Sequence, residues 1–107
     1  MWIFTPKGFM SIAQHTSLPD SFQVKSRVPD PLSELWPDHE IQVIDWADYR
    51  YRINISKEDA IPVIIGLLES IDYSNFKNEC VGMPEYHRSL GKVWGAMFEF
   101  QKRMEGR

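Results

Sequence analysis

The segment Asp48–Asp59 alternates between apolar and polar side chains and then changes to a helical spacing. Because successive side chains of a β-strand point to opposite faces, the alternation predicts a strand over residues 49–55. One face of that strand would be apolar, and the other would carry three polar residues, Arg50, Arg52 and Asn54. Ser56 is suited to cap the helix that follows, with Asp59 completing a capping box. A strand that leads directly into a capped helix predicts a corner of an α+β domain.

Four further strands are predicted upstream, over residues 2–5, 9–14, 22–28 and 41–45. The sequence Pro6-Lys7-Gly8 predicts a hairpin turn between the first two, because proline fixes φ and glycine accepts a positive φ. A short helix is expected over residues 30–36. These elements predict an α+β fold: an antiparallel sheet of four to five strands with two main helices packed on one face. At 107 residues the chain can bury a core, so we expect a single α+β domain over residues 1–107.

The first main helix would run from Ser56 to about Ile71, and its apolar residues cover more than one face. We therefore expect a second covering surface, either the last helix or another copy of the chain in a homodimer. Pro62 conflicts with a helix interior, so the helix either begins near Asp59 or is distorted at Pro62, and we favour the start near Asp59. The second main helix begins at Pro84 and continues to about Met104. The strongest periodic positions of both helices predict one shared core, formed by Ile64, Leu68, Trp94 and Phe98.

The formal net charge is −3, which gives no attraction of the whole chain to nucleic acid or anionic lipid. Binding of that kind would need a local basic patch. The single cysteine, Cys80, cannot form an internal disulfide and is expected to be buried and inert. The chain has no run of ~20 apolar residues, and its first residues lack the features of a signal peptide. We expect a cytoplasmic protein with no membrane partner.

The predicted strands at 22–28 and 49–55 define a first candidate site. If they pair in matching register, four basic residues project from one face: Lys25, Arg27, Arg50 and Arg52. Such a face is typical of nucleotide or single-stranded nucleic-acid binding, where arginine contacts phosphate and aromatic rings stack on bases. The alternative is a solvated face whose charges pair with neighbouring carboxylates at little energetic gain. Tyr49 and Tyr51 are expected on the opposite face, which weakens the nucleic-acid interpretation.

The segment Ile71–Lys77 is a second candidate site. Three of its side chains offer a mixed edge of hydrogen-bond donors and acceptors, as a recognition loop would: Asp72, Asn75 and Lys77. The alternative is an anchored helix exit, in which Tyr73 and Phe76 enter the core and Asn75 serves the turn.

No catalytic or metal-binding motif stands out in the sequence. His15, His39 and His87 are not paired at metal-ligand spacing, and Cys80 has no second cysteine to complete a zinc set. Glycine-rich phosphate loops and nucleophile motifs are absent from the sequence. We therefore predict no metal, no cofactor and no catalytic residue, and favour a protein that is not an enzyme.

Several short motifs are spread over nearly the whole chain: Met1-Trp2-x-Phe4, Gly8-Phe9-x-Ser11, Tyr49-x-Tyr51-Arg52, Lys57, and Ile71-Asp72-Tyr73-x-Asn75-Phe76-Lys77. With these motifs, and with Tyr86 and Trp94 further on, the chain resembles an uncharacterised family of small bacterial and phage-borne proteins. The resemblance implies one intact domain and no particular activity. It directs attention to six residues, Trp2, Ser11, Arg52, Asp72, Asn75 and Lys77.

We expect a small non-enzymatic interaction module that binds a protein partner. The alternative is nucleotide or single-stranded nucleic-acid binding through the arginine-bearing sheet face. The candidate binding residues are Arg27, Arg50, Arg52, Asp72, Asn75 and Lys77. A deep pocket lined by Arg27, Arg52 and Asn75 would favour a small ligand, whereas an exposed apolar patch would favour a protein partner.

Overall fold

The computed structural model of the chain describes residues 1–106. Contacts between residues divide the chain into two compact units. The first, Met1–Ile71, is here called the sheet unit, and the second, which begins at Asp72, is called the helical unit. The expectation of a single domain over residues 1–107 stays a prediction.

The sheet unit contains a five-stranded antiparallel sheet, which confirms the predicted α+β fold. Its strands are β1 (Trp2–Thr5), β2 (Gly8–Gln14), β3 (Ser21–Ser26), β4 (Gln42–Val43) and β5 (Tyr51–Ser56). Their order across the sheet is β1-β2-β3-β5-β4, and every neighbouring pair is antiparallel. Strands β3 and β5 are therefore direct neighbours in the centre of the sheet.

Strands β3, β4 and β5 differ most from their predicted bounds. Strand β3 ends at Ser26 and β4 comprises only Gln42–Val43, so both are shorter than expected. Strand β5 begins at Tyr51 instead of Tyr49. For β4 and β5 the physical reason is the compact loop between them, in which the N–H of Ile44 donates to the carbonyl of Arg50 at 2.8 Å. In this loop, local hydrogen bonds determine the direction of the side chains, and the alternation of a strand does not apply.

The predicted hairpin at Pro6-Lys7-Gly8 is confirmed, with Thr5 paired to Gly8. The Thr5 hydroxyl accepts the N–H groups of Lys7 at 3.0 Å and Gly8 at 3.2 Å, and it donates to the carbonyl of Gly8 at 2.9 Å. Gly8 has a φ of +140°, and a Cβ built there would lie 3.0 Å from Cγ of Pro31. Glycine is thus required for its backbone conformation and for the close approach of Pro31.

Two helices of the sheet unit, α1 (Asp30–Leu35) and α2 (Lys57–Glu69), pack on one face of the sheet. The core lies between these helices and the sheet, and consists of Met10, Ile12, Val24, Leu32, Trp36, Ile53, Ile55 and Ala60. As predicted, the Ser56 side chain caps α2 by accepting the N–H of Asp59 at 3.1 Å. The predicted start near Asp59 is wrong, because α2 begins at Lys57 and contains Pro62. The cap and the burial of Ala60 outweigh the backbone hydrogen bond that Pro62 cannot make.

The helical unit contains α3 (Phe76–Glu79) and α4 (Pro84–Glu105). The long final helix was predicted with nearly these bounds. Glu85 lies in its first turn and Lys102 and Arg103 lie in its last, which places each charge at the favourable end of the helix dipole.

Candidate functional site

One row of side chains crosses the whole sheet on a single face. Direct cross-strand pairing joins Trp2 to Ser11, Ser11 to Lys25, Lys25 to Arg52, and Arg52 to Gln42. Directly paired residues of antiparallel strands point to the same side. We call these five residues the cross-strand row. The matching register on which the first candidate site depends is therefore present for Lys25 and Arg52.

The cross-strand row lies opposite the core. The neighbouring row, which pairs Ile12 with Val24 and Val24 with Ile53, is buried against α1 and α2. Because side chains alternate along each strand, the cross-strand row occupies the outer face of the sheet unit. Trp2 is 69% exposed there, whereas Lys25 and Arg52 are half-buried.

Aromatic rings continue from Trp2 along the same face. The ring of Phe9 lies 5.7 Å from Trp2 in an edge-to-face arrangement and is stacked on Phe4 at 4.6 Å. Tyr49 follows, with its ring centroid 6.3 Å from that of Phe9. The prediction that Tyr49 lies on the opposite face is wrong. Tyr49 precedes β5, so the alternation of that strand does not determine its direction.

Arg27 lies over the ring of Tyr49, with its guanidinium carbon 4.1 Å from the ring centroid. Its Nη1 donates to the carbonyl oxygen of Asp48 at 2.6 Å. The side chain is exposed, so one side of the guanidinium plane contacts tyrosine and the other faces outward. A planar cation held in this way can stack on a further aromatic group and contact an anion at its edge.

Arg52 is held more tightly than a solvated surface arginine. Its Nη2 donates to the carbonyl oxygen of Tyr49 at 2.9 Å, and its Nε is buried without a hydrogen-bond partner among the described residues. A buried unpaired donor costs roughly 1–3 kcal/mol.

Arg50, which the sequence placed on the same face, does not join Lys25 and Arg52. Its Nη2 forms an ion pair with Asp45 at 2.8 Å, and its Nε donates to the same carboxylate oxygen at 2.9 Å. The guanidinium also lies 5.8 Å from the ring of Tyr51, which packs against the core. Since Arg50 precedes β5, Asp45 and Tyr51 fix its direction, and the alternation of the strand does not.

The solvated-face interpretation expected these basic residues to pair with nearby carboxylates. Within residues 1–106, Arg50 has such a partner, but no aspartate or glutamate forms an ion pair with Lys25, Arg27 or Arg52. The outer face therefore carries basic side chains that its own acidic residues do not neutralise.

The segment Ile71–Lys77 is structured as a helix exit. Asn75 caps α3, with its Oδ1 accepting the N–H of Asn78 at 3.1 Å. The rings of Tyr73 and Phe76 lie 6.2 Å apart, and the ammonium of Lys77 lies 5.4 Å from the ring of Trp94. Asn75 and Lys77 thus have structural partners within the helical unit, while Asp72 is exposed.

Two of the residues predicted to form a core with Ile64 and Phe98 are not core positions. Leu68 is 63% exposed and Trp94 is 57% exposed, so neither is a core position. Ile64 packs against the core of the sheet unit, and Phe98 stacks on Trp94 at 5.2 Å. The helical periodicity identified the apolar face of each helix, but it did not predict which residues of that face are buried.

Helix α4 presents the longest exposed apolar face. Apolar residues recur along it at alternating spacings of four and three: Tyr86, Leu90, Val93, Met97, Phe100 and Met104. This is the seam spacing of a coiled coil. Leu90 is buried, whereas the four residues from Val93 onward are exposed, Met97 to 60%. Trp94 and Phe98 lie beside the seam and widen the face.

Helix α2 carries a second exposed apolar stripe, formed by Ile61, Ile65 and Leu68. The stripe adjoins a groove of about 270 Å³ between α2 and the ends of β2 and β3. The groove is lined mainly by apolar residues and includes neither Arg27 nor Arg52. This is the kind of surface that favours a protein partner over a small polar ligand.

The described residues hold no group of three or more His, Cys, Asp or Glu side chains suited to a metal ion. None of the described helices is both long and apolar enough to cross a membrane. Cys80 is buried, as predicted. Burial, and secondarily the charge of Glu79, raise the pKa of its thiol.

No protein-family model, no curated protein and no solved structure matches this chain. The resemblance to small bacterial and phage-borne proteins therefore stays a hypothesis, and the function must be argued from the surfaces described above.

Proposed function

We propose that this protein is a cytoplasmic interaction module that acts by binding a protein partner and not by catalysis. The observation that carries the proposal is the apolar seam of α4, which is exposed from Val93 to Met104. Large contiguous apolar patches are rare on monomers and mark interaction sites. A single cysteine that has no disulfide partner fits a reducing compartment.

The residue types on this face support a protein interface. Met97, Phe100 and Met104 lie on the seam, and Trp94 and Phe98 flank it. Aromatic residues and methionine are enriched at interfaces, because they bury much area and adapt to the partner. The charged residues of α4 lie off the seam, as they do in helices that pair through an apolar stripe.

The partner that we propose for this face is a second copy of the chain. A seam with four–three spacing is complementary to an identical seam, because each apolar side chain fits between side chains of the facing helix. Two α4 helices would then cover each other's exposed residues from Val93 onward. Homodimers with such a two-fold interface are the commonest symmetric assemblies.

Sedimentation equilibrium over a wide concentration range tests the proposal. The wild type should approach the mass of a dimer, and Met97→Glu should return it to a monomer, because a charge cannot be buried unpaired in the seam. Lys92→Glu is the matched control, since it adds the same acidic side chain to α4 at a residue outside the seam. A wild type that stays monomeric at every concentration, or a dimer that withstands Met97→Glu, would overturn the proposal.

A further inference from the structure

The outer face of the sheet unit arranges four kinds of side chain in a fixed order. Along the cross-strand row, an exposed indole is followed by a hydroxyl, an ammonium and a guanidinium, from Trp2, Ser11, Lys25 and Arg52. Adjacent strands lie about 4.8 Å apart, so Lys25 and Arg52 are near neighbours and Trp2 is about 10 Å from Lys25. Strands β2, β3 and β5 are each paired on both sides, and β1 is paired with β2. The sheet therefore fixes the distances between the backbone positions of these residues.

This order matches the chemistry of a nucleotide. A base can stack on an exposed tryptophan, and such stacking tolerates any base because every base has an aromatic face. The ammonium of Lys25 and the guanidinium of Arg52 can bind phosphate oxygens with charge-assisted hydrogen bonds. Ser11 lies between Trp2 and Lys25 in the cross-strand row, where the sugar of a ligand lying across the strands would pass.

We infer that this face binds a base–sugar–phosphate unit, with Trp2 stacked on the base and Lys25 and Arg52 on the phosphate. The site is separate from the apolar seam of α4 and stands independently of the proposed protein partner. The unit is either a free nucleotide or one residue of a single-stranded nucleic acid, since both present the same chemistry.

Two observations favour a ligand over a solvated surface. The acidic residues described in the structure leave Lys25, Arg27 and Arg52 without ion pairs, although the chain as a whole has a charge of −3. Exposed Trp2 lies at the end of an aromatic cluster with Phe9 and Phe4, which fixes its position.

Arg27 extends the site beyond one nucleotide. Its guanidinium plane is held 4.1 Å from the ring of Tyr49 and its outer side is exposed. A second base or phosphate of a strand could be bound there by stacking or by hydrogen bonds. A free mononucleotide has no group to place on Arg27, so Arg27 distinguishes the two sources of the ligand.

Isothermal titration calorimetry at two salt concentrations tests the inference with four probes: adenosine, inorganic phosphate, AMP and a short single-stranded oligoadenylate. AMP or the oligonucleotide should bind, and more weakly at the higher salt concentration, because phosphate contacts release counterions. Adenosine and phosphate alone should each bind at least about tenfold more weakly, because each lacks one half of the contacts.

Two variants and one control locate the site. Trp2→Ala should weaken binding about 5- to 100-fold by removing the stacking surface. Arg52→Gln should weaken it about tenfold or more and reduce the salt dependence. Arg50→Gln is the matched control, because Arg50 is neighbour to Arg52 but is held by Asp45 outside the cross-strand row, and it should leave binding unchanged. Circular dichroism of each variant confirms that the fold is intact.

Each outcome decides between the alternatives. Oligonucleotide binding that is much tighter than AMP binding and that falls with Arg27→Gln identifies single-stranded nucleic acid, whereas equal binding that ignores Arg27→Gln identifies a free nucleotide. Both support the inference. Absence of wild-type binding at low salt overturns it, as does binding that withstands Trp2→Ala and Arg52→Gln or that falls equally with Arg50→Gln.

Discussion

The sheet unit and the helical unit contain similar kinds of apolar residue but bury them to very different extents. In the sheet unit, Met10, Val24, Leu32 and Ile53 are completely buried. Among residues 72–106 of the helical unit, the buried apolar residues are Cys80 and Leu90, while Trp94, Met97 and Phe98 are exposed. The difference follows from how each backbone satisfies its hydrogen bonds.

A strand needs neighbouring strands to pair its N–H and carbonyl groups, so a sheet brings distant residues together and forms a core as it forms. A helix pairs these groups within itself and can therefore exist with its apolar face uncovered. Helix α4 begins at Pro84 and carries an acidic residue in its first turn and basic residues in its last turn. These features stabilise the helix in addition to any burial of its apolar face. An apolar face left open in this way is available to a partner.

The largest expected effect distinguishes the two units directly. Ile53→Ala should lower the free energy of unfolding by about 2–5 kcal/mol, because it leaves a cavity in the centre of the sheet unit. Trp94→Ala, measured at a concentration too low for association, should cost about 1 kcal/mol or less, since the ring is exposed and loses mainly its stack on Phe98.

Urea denaturation of both variants measures these values. Equal destabilisation by Ile53→Ala and Trp94→Ala would show that Trp94 belongs to a core, and the contrast between the two units would fail.

The next effect concerns the hairpin that begins the sheet. Gly8→Ala should destabilise the protein by roughly 1–3 kcal/mol, because a φ of +140° is strained for alanine and its Cβ would lie 3.0 Å from Pro31. Gly95→Ala is the control in the helical unit. A Cβ at Gly95 meets no atom within 4 Å, so helix propensity should make this change stabilising by up to about 1 kcal/mol. Thermal unfolding of both variants compares the two positions, and a stable Gly8→Ala protein would contradict the hairpin geometry.

The sequence predicted the fold wherever a local rule determines structure. The alternation at residues 51–55, the hairpin at Pro6-Lys7-Gly8, the cap at Ser56 and the helix from Pro84 were all correct. The start of α2 was wrong because the rule against proline inside a helix was outweighed by the capped end and the core contact of Ala60. The predicted strand boundary was wrong at Tyr49, where the hydrogen bonds of a loop replace the regular pairing of a strand.

The candidate site was predicted only in part, for a related reason. Lys25 and Arg52 follow strand alternation and were placed correctly, whereas Arg50 and Tyr49 lie before β5 and turn in directions set by Asp45, Phe9 and Arg27. The position of Trp2 at the end of the cross-strand row depends on the pairing of three strands. The alternation of β1 and β2 around the tight hairpin was a signal that could have revealed it.

Helix caps give a smaller comparison between the units. Ser56→Ala should destabilise the sheet unit by about 1 kcal/mol, because the Asp59 N–H at the start of α2 loses its acceptor. Asn75→Ala removes the equivalent cap from α3, a helix of only four residues, and should cost no more than this. Chemical denaturation measures both changes. A larger loss of unfolding free energy for Asn75→Ala would show that helix capping contributes more to the stability of the helical unit than to that of the sheet unit.

The smallest effect tests the burial of Cys80 in the helical unit. Burial raises the pKa of the Cys80 thiol, and the negative charge of Glu79 raises it further. Since the folded pKa lies above the unfolded one, the stability that this group contributes is complete below the unfolded pKa and is lost as the pH rises through the folded pKa. The thiol should therefore react slowly with a disulfide reagent in the native protein and rapidly after unfolding. Glu79→Gln should lower the pKa in a titration of thiolate absorbance, but not to the value of a free thiol, because burial is the larger cause. A native thiol that reacts as fast as the unfolded one would show that Cys80 is accessible and that the helical unit lacks even this small core.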